Sequence, residues 1–333
     1  MVGTMDYEIP VLDLSFVSGK YDDLPDNVFE KLAQEFGTAM NGVGFAYVTN
    51  HGVDMKKIDH IHKLSHEFYS LPTATKQKYR KTDPPECFHG YAGPGDELLN
   101  YQEKNSTELR EFFDVWGFQQ YDAKEYPSEI PEYKAAFDAV RPECNNLGKK
   151  LLRAMGKYLK LKDEQFFVKT HSFMDDPTIR TQAQFRTLHY YQMDPSDPNI
   201  PTNAIRCGEH ADWGTITLLF QDMVGGLEVK RLDGSWIEAV PIKDSILINV
   251  GQLLELWSAG IFQATVHRVR ILDEERVRKL ARQSFIYFIN PDGDQVVQPI
   301  VPCPPGDEKF LKVTPKVAYD HYKHLIADAT KHY

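Results

Sequence analysis

The sequence predicts a mainly β protein with flanking helices, in which a helical N-terminal region precedes a β sandwich or barrel. Three observations predict this. Apolar residues recur at helical spacing over 24–40, 54–70 and 131–160. From about residue 183 the texture changes to short β-type runs divided by turns: FRTLHYYQM, TITLLFQD, GLEVKR, SWIEAV, SILINV, ATVHRVRIL and RQSFIYFIN. Repeated short strands argue a sandwich or barrel over a parallel α/β sheet. No linker, repeat or low-complexity segment separates the halves, so one compact unit is expected, with regions at 1–177, 178–300 and 301–333.

Taken in order, IPVLDLS at 9–15 reads as a short strand opened by a proline, and the helix over 24–40 stops at Asn41-Gly42. GFAYVTNHGV at 44–53 reads as a strand ending in a turn. The helix over 54–70 is closed by Leu71-Pro72. Residues 81–107, rich in Pro, Gly and polar groups, read as a long mobile segment. A last helix is expected over 315–328.

Composition excludes several classes. The 333 residues are 42% hydrophobic and 26% charged, an ordinary globular balance that allows a sizeable core. A net charge of −10 disfavours nucleic acid and anionic membranes, which need a basic surface. The N-terminus, MVGTMDYEIPVLDLS, is acidic where a signal peptide is basic, and no run of about 20 uncharged apolar residues could span a bilayer. The four cysteines lie far apart without a CxxC pair, so reduced thiols and a soluble, cytoplasmic protein are expected.

Chemistry concentrates in the second half. His210-x-Asp212, followed by His267, supplies the residue types that hold ferrous iron on one face and leave the other open, whereas structural zinc prefers a closed four-ligand shell. Two residues apart on a strand, His210 and Asp212 share a face about 7 Å apart along the backbone. In a chain with 12 histidines, HxD taken alone is also consistent with accident. Arg282-x-Ser284 opens a strand-like run whose alternation puts Arg282, Ser284, Ile286, Phe288 and Asn290 on one face. A buried guanidinium needs an anion, and a bidentate carboxylate would satisfy it. An internal Asp or Glu partner, or an outward-facing arginine, stays open at this point.

At these residues the chain resembles the isopenicillin N synthase-like family of Fe(II)/2-oxoglutarate-dependent oxygenases. The resemblance runs over about residues 8–320, through IPVLDLS, GFAYVTNHGV, HEFYSLPTATKQKYR (66–80), GEHADWGTITLLFQDMVGGLEV (208–229) and NVGQLLELWSAGIFQATVHRV (249–269). It implies a double-stranded β-helix, or jelly-roll, core over 178–300 behind an N-terminal region of the non-haem dioxygenase type. It further implies iron at His210, Asp212 and His267, and the remote carboxylate of 2-oxoglutarate at Arg282 and Ser284. HYYQ at 189–192 sits where the family often has Asn-Tyr-Tyr-Pro, which implies that Tyr191 adds a hydroxyl to that carboxylate. With O2, such an enzyme hydroxylates, desaturates or cyclises a small organic molecule and releases succinate and CO2.

Departures from the family pattern are His189 and Gln192 in that tetrapeptide, Gln252 where many members have Asp, and extra residues in DEERVRK before Arg282. Two other functions remain. One is a member that uses Fe(II) and O2 without the oxo acid, as an oxidative cyclase does; Phe88-His89 before Gly90-Tyr91, where a penicillin-type cyclase has an arginine, counts against it. The other is a non-catalytic metal- or oxo-acid-binding protein. For the substrate pocket the expectation names Phe288, Tyr91, Phe173 and Asn290. His51, His62, His66, Trp213 and Trp257 are read as structural, and the tail histidines His321, His324 and His332 as solvent-exposed. A monomer is expected.

Overall fold

The computed structural model describes residues 8–81, 89–97, 99, 107–116, 125–175, 183–192, 204–271, 280–304 and 308–330. Helix α1 (Asp26–Gly42) buries Phe29, Leu32, Phe36 and Met40, the apolar stripe that the helical spacing required. Helix α2 (Met55–Tyr69) starts at Asp54, whose carboxylate accepts from the Lys56 amide at 3.0 Å. Helix α3 (Tyr133–Tyr158) packs across α1 and α2. Two further helices are α4 (Gln252–Trp257) and α5 (Ala318–Thr330).

The strands in chain order are β1 (Val11–Asp13), β2 (Phe45–Thr49), β3 (Gly90–Ala92), β4 (Thr107–Glu108), β5 (Arg110–Trp116), β6 (Gln184–Tyr190) and β7 (Ala204–Ile205). They continue with β8 (Cys207–His210), β9 (Ile216–Gln221), β10 (Leu227–Lys230), β11 (Trp236–Glu238), β12 (Ile246–Val250), β13 (His267–Val269) and β14 (Arg282–Ile289). Eight of them form one sheet in the order β1-β2-β12-β9-β14-β6-β5-β3, and four form a second in the order β11-β10-β13-β8. These are the two sheets of a jelly roll.

Period-two alternation decides what each face meets. Phe185 of β6 and Phe285, Tyr287 and Ile289 of β14 join the large apolar core beneath α1 and α3. Leu188 and Tyr190 of β6, Leu219 of β9 and Val229 of β10 point into the space between the sheets. Gly44, at φ +72°, turns the chain from α1 into β2, and a Cβ there would lie 2.5 Å from the Gln263 carbonyl oxygen. Only glycine fits both demands.

The structure corrects two expectations. Where described, the segment expected to be mobile is ordered into the sheet: Gly90–Ala92 is buried as β3 and pairs with β5. The region expected to be helical also supplies β5, REFFDVW, next to β6 in the main sheet. Its pattern was hidden because Arg110, Glu111 and Asp114 are fully buried in ion pairs, which a reading for apolar alternation passes over.

Candidate functional site

His210 closes β8 directly opposite His267, which opens β13. Their ring centroids lie 4.3 Å apart, and Asp212 follows two residues on. Asp212 Oδ1 is 3.8 Å from His210 Nε2 and 3.7 Å from His267 Nε2, so one ligand atom from each residue converges within 4.8 Å. Both imidazoles are oriented from behind: His210 Nδ1 donates to the Gly208 carbonyl at 2.8 Å and His267 Nδ1 to the Thr265 carbonyl at 3.1 Å. That leaves both Nε2 lone pairs facing the site. The Asp212 carboxylate is fixed through Oδ2, which accepts from Thr217 Oγ1 and, at 2.7 Å, from Asn249 Nδ2.

The electrostatics suit a cation. Burial, with the neighbouring His210 ring, pushes His267 down to about 4, so its imidazole is neutral near pH 7. Burial alone would raise Asp212, but the two imidazoles and the Asn249 and Thr217 hydrogen bonds outweigh it and keep the carboxylate ionised. Two imidazoles and one carboxylate, with no fourth His, Cys, Asp or Glu donor in the cluster among the described residues, match an open ferrous site.

Arg282 stands at the head of β14, 1% exposed. Its Nη1 donates to Ser284 Oγ at 2.7 Å and its Nη2 to Gln221 Oε1 at 3.3 Å, while Nε has no partner among the described residues. Among the described residues no carboxylate pairs with it. An unpaired buried guanidinium fits an anion that arrives with the ligand.

Triad and arginine line one cavity of ≈ 310 Å³ between the sheets. Phe288, Asn290, Ser284 and Tyr91 line it too, although the Tyr91 hydroxyl donates to Glu111 at 2.7 Å. Two expectations do not match this geometry. Tyr191 is outside the lining and faces Glu111, because odd-numbered residues of β6 and its continuation point to the helical side. Tyr190 takes the cavity place, with its ring 5.0 Å from the Arg282 guanidinium carbon. Phe173 is core, tilted against His171 at 6.3 Å and away from the cavity.

Among the residues set aside, Trp213 lines the cavity, whereas Trp257 is core. The tail lines the cavity through Tyr322 and Ile326 of α5; His321 is buried beside Tyr322, His324 is exposed, and His332 lies outside the described residues. Tyr322 and Ile326 are four apart on one helix face, a signal the sequence does carry. Arg186, Asp114 and Glu97 also line the cavity and were missed, since charged residues read as solvent-facing in a strand, as for Arg186 and Asp114, and in a polar connecting segment, as for Glu97.

A cavity with an open His–Asp–His face at one place and an orphaned arginine at another defines the class of non-haem iron oxygenases that take an oxo acid. Comparisons agree. Residues 9–133 match the model of the N-terminal region of non-haem dioxygenases of morphine synthesis, and residues 182–291 that of the 2OG-Fe(II) oxygenase superfamily. The chain is 30% identical over 310 residues to the 2-oxoglutarate-dependent dioxygenase frbA of Dothideomycetidae sp., covering 87% of each. It is 28% identical over 338 residues to homoarginine-6-hydroxylase of Arabidopsis thaliana, covering 96% of each. A full-length Neurospora crassa protein, crystallised in complex with alpha-KG and thymine, superposes with a TM-score of 0.79 at 25% identity, covering 98% of this chain and 97% of that one.

The chain belongs to the 2OG-Fe(II) oxygenase superfamily. It is a 2-oxoglutarate-dependent dioxygenase that works with Fe(II) and O2, which sets aside both the oxo-acid-independent cyclase and the non-catalytic binding protein.

Proposed function

We propose that His210, Asp212 and His267 hold the ferrous ion, and that Arg282 and Ser284 bind the remote carboxylate of 2-oxoglutarate. Bound there, iron, oxo acid and dioxygen supply the oxidant for a substrate C–H bond, with release of succinate and CO2. The protein's own part is position and exclusion of water. Thr217 and Asn249 hold Asp212, two backbone carbonyls hold the imidazoles, and α5 lines the cavity through Tyr322 and Ile326.

The observation that carries this reading is the Arg282 guanidinium, buried in the cavity that the triad shares without a carboxylate partner among the described residues. A salt-bridged structural arginine would have brought its carboxylate with it. The test is anaerobic: Fe(II) with 2-oxoglutarate gives a visible charge-transfer band in the wild type, and Arg282→Ala raises the oxo-acid concentration it needs. A band that forms at unchanged 2-oxoglutarate concentration in that variant removes Arg282 from the reading.

The substrate is a small molecule, hydroxylated in the simplest case and desaturated or cyclised in the variants of the same step. Its identity does not transfer from the relatives, one being named for homoarginine and another holding thymine. We further take the enzyme to be cytoplasmic and monomeric. Cys144, Cys207 and Cys303 are free thiols. No helix among the described residues is long and apolar enough to cross a membrane.

A further inference from the structure

Beyond Phe288 the cavity wall changes character. Arg186 of β6 lies between Ile286 of β14 and Asp114 of β5, one pleat along from Phe288. Phe288 in turn is opposite Thr217, the residue that donates to Asp212. Arg186 therefore sits about 7 Å along the strand direction from the row that holds the metal-site carboxylate. It is clamped: Nε donates to Asp114 Oδ1 at 2.6 Å, Nη2 to Asp114 Oδ2 at 2.8 Å, and Nη1 to Glu97 Oε1 at 2.9 Å. Arg110 donates to Glu97 at 3.0 Å and to Glu108 at 2.7 Å, and Lys81 pairs with Asp114. Burial would raise Glu97, but Arg186, Arg110 and Lys81 outweigh it and hold the carboxyl well below its usual range, so it is ionised.

Such a lattice is a weak device for stability, because well-packed apolar side chains in its place are often as good or better. Its placement on the wall of the reaction cavity points to recognition. The charges close. Glu97, Glu108 and Asp114 balance Lys81, Arg110 and Arg186, and Arg80 pairs with Asp96 at 2.7 Å. At the metal end, a doubly charged cation and Arg282 balance Asp212 and a doubly charged oxo acid. With Glu108 behind Arg110 and outside the lining, every charge of the described lining residues thus has its opposite before the primary substrate enters. A carboxylate, ammonium or guanidinium would be desolvated there without a partner.

What the wall does offer is flatness and donors. The Arg186 guanidinium carbon lies 3.8 Å from the Phe112 ring centroid and 5.8 Å from that of Phe288. One Nη1 hydrogen of Arg186 has no acceptor among the described residues. The Tyr322 hydroxyl is buried and without a hydrogen-bond partner among the described residues, placed 2.8 Å from where a Cβ on Gly214 would stand.

We propose that the primary substrate is uncharged and flat, stacked near Phe288, with a carbonyl or hydroxyl oxygen that accepts from Arg186 or Tyr322. This rests on the oxygenase reading above and narrows its substrate class.

Three near-isosteric probes test it: benzamide, benzoate and benzamidine, which are neutral, anionic and cationic at pH 7.5. Each is titrated anaerobically into the holoenzyme with Fe(II) and saturating 2-oxoglutarate. Paramagnetic broadening of its ring protons reports both affinity and proximity to iron. Benzamide is expected to bind at least ten-fold more tightly than either charged probe. Benzamide no tighter than benzoate or benzamidine overturns the proposal. Glu97→Gln leaves the lattice one positive charge in excess and is expected to shift the benzoate-to-benzamide affinity ratio at least ten-fold towards benzoate; an unshifted ratio in a variant that keeps the visible band also overturns it. Should Glu97→Gln not fold, Asp114→Asn is read the same way, and the wild-type comparison stands alone. Loss of the band in the wild type itself would sink the oxygenase reading instead, so the two failures are told apart.

Discussion

Tyr190 and Arg282 face each other across β6 and β14, the tyrosine ring 5.0 Å from the guanidinium carbon. The aromatic face steadies a cation that has no carboxylate partner among the described residues, and it leaves the guanidinium edge free for a ligand. Tyr190→Leu is expected to weaken 2-oxoglutarate binding by about 3- to 10-fold, whereas Tyr191→Phe leaves it unchanged. Titrating the anaerobic charge-transfer band in both variants checks this, and the reverse order would return the role to Tyr191.

Arg282 should behave oppositely in binding and in folding. Arg282→Met removes a charge-assisted anchor, so oxo-acid affinity should fall by about 100-fold. The same change removes an unpaired buried charge, so the ligand-free protein should melt no lower than wild type. Thermal melts with and without 2-oxoglutarate measure both; a ligand-free variant clearly less stable than wild type would mean that Arg282 has an internal counter-ion.

Behind the metal site, Thr217 and Asn249 hold the Asp212 oxygen that faces away from the histidines. Thr217→Val and Asn249→Ala should each reduce Fe(II) affinity by roughly 10- to 100-fold while leaving the three ligand side chains in place. Competition against a colorimetric chelator gives the number. Unchanged affinity in both would show that the carboxylate needs no support.

Acid should destabilise the fold through His171. Burial pushes this imidazole down to about 3 while its Nε2 lies 2.9 Å from Thr215 Oγ1 and Nδ1 donates to the Phe167 carbonyl at 2.6 Å. The unfolded chain takes up a proton near pH 6.5 and the folded chain only near pH 3. Stability is therefore complete above pH 6.5 and declines as pH falls through that window. By pH 5 the loss from this group is about 2 kcal/mol. Urea unfolding at pH 7 and pH 5 should show a smaller difference in His171→Gln than in wild type; equal differences would rule the group out.

Much of the site was legible because its signals are local. HxD needs two residues at the end of one strand, and RxS needs period-two alternation, which Phe285, Tyr287 and Ile289 in the core confirm from the other face. Tyr191 was misplaced because a pair of adjacent tyrosines gives no clue to which one faces inward. The pairing of β6 with β14 and β5 settles that, with Tyr190 opposite both Arg282 and Arg110.

Residue types, their spacing and the family resemblance were enough to single out the candidate residues at one end of the cavity, since side-chain identity and strand alternation are properties of short stretches of chain. The polar wall at the other end arose from folding alone. Arg186 meets Glu97 from 89 residues away and Asp114 from 72, and nothing near any of them in the chain distinguishes a buried ion pair from a solvated charge. Burial makes that distinction, and burial depends on which strands become neighbours.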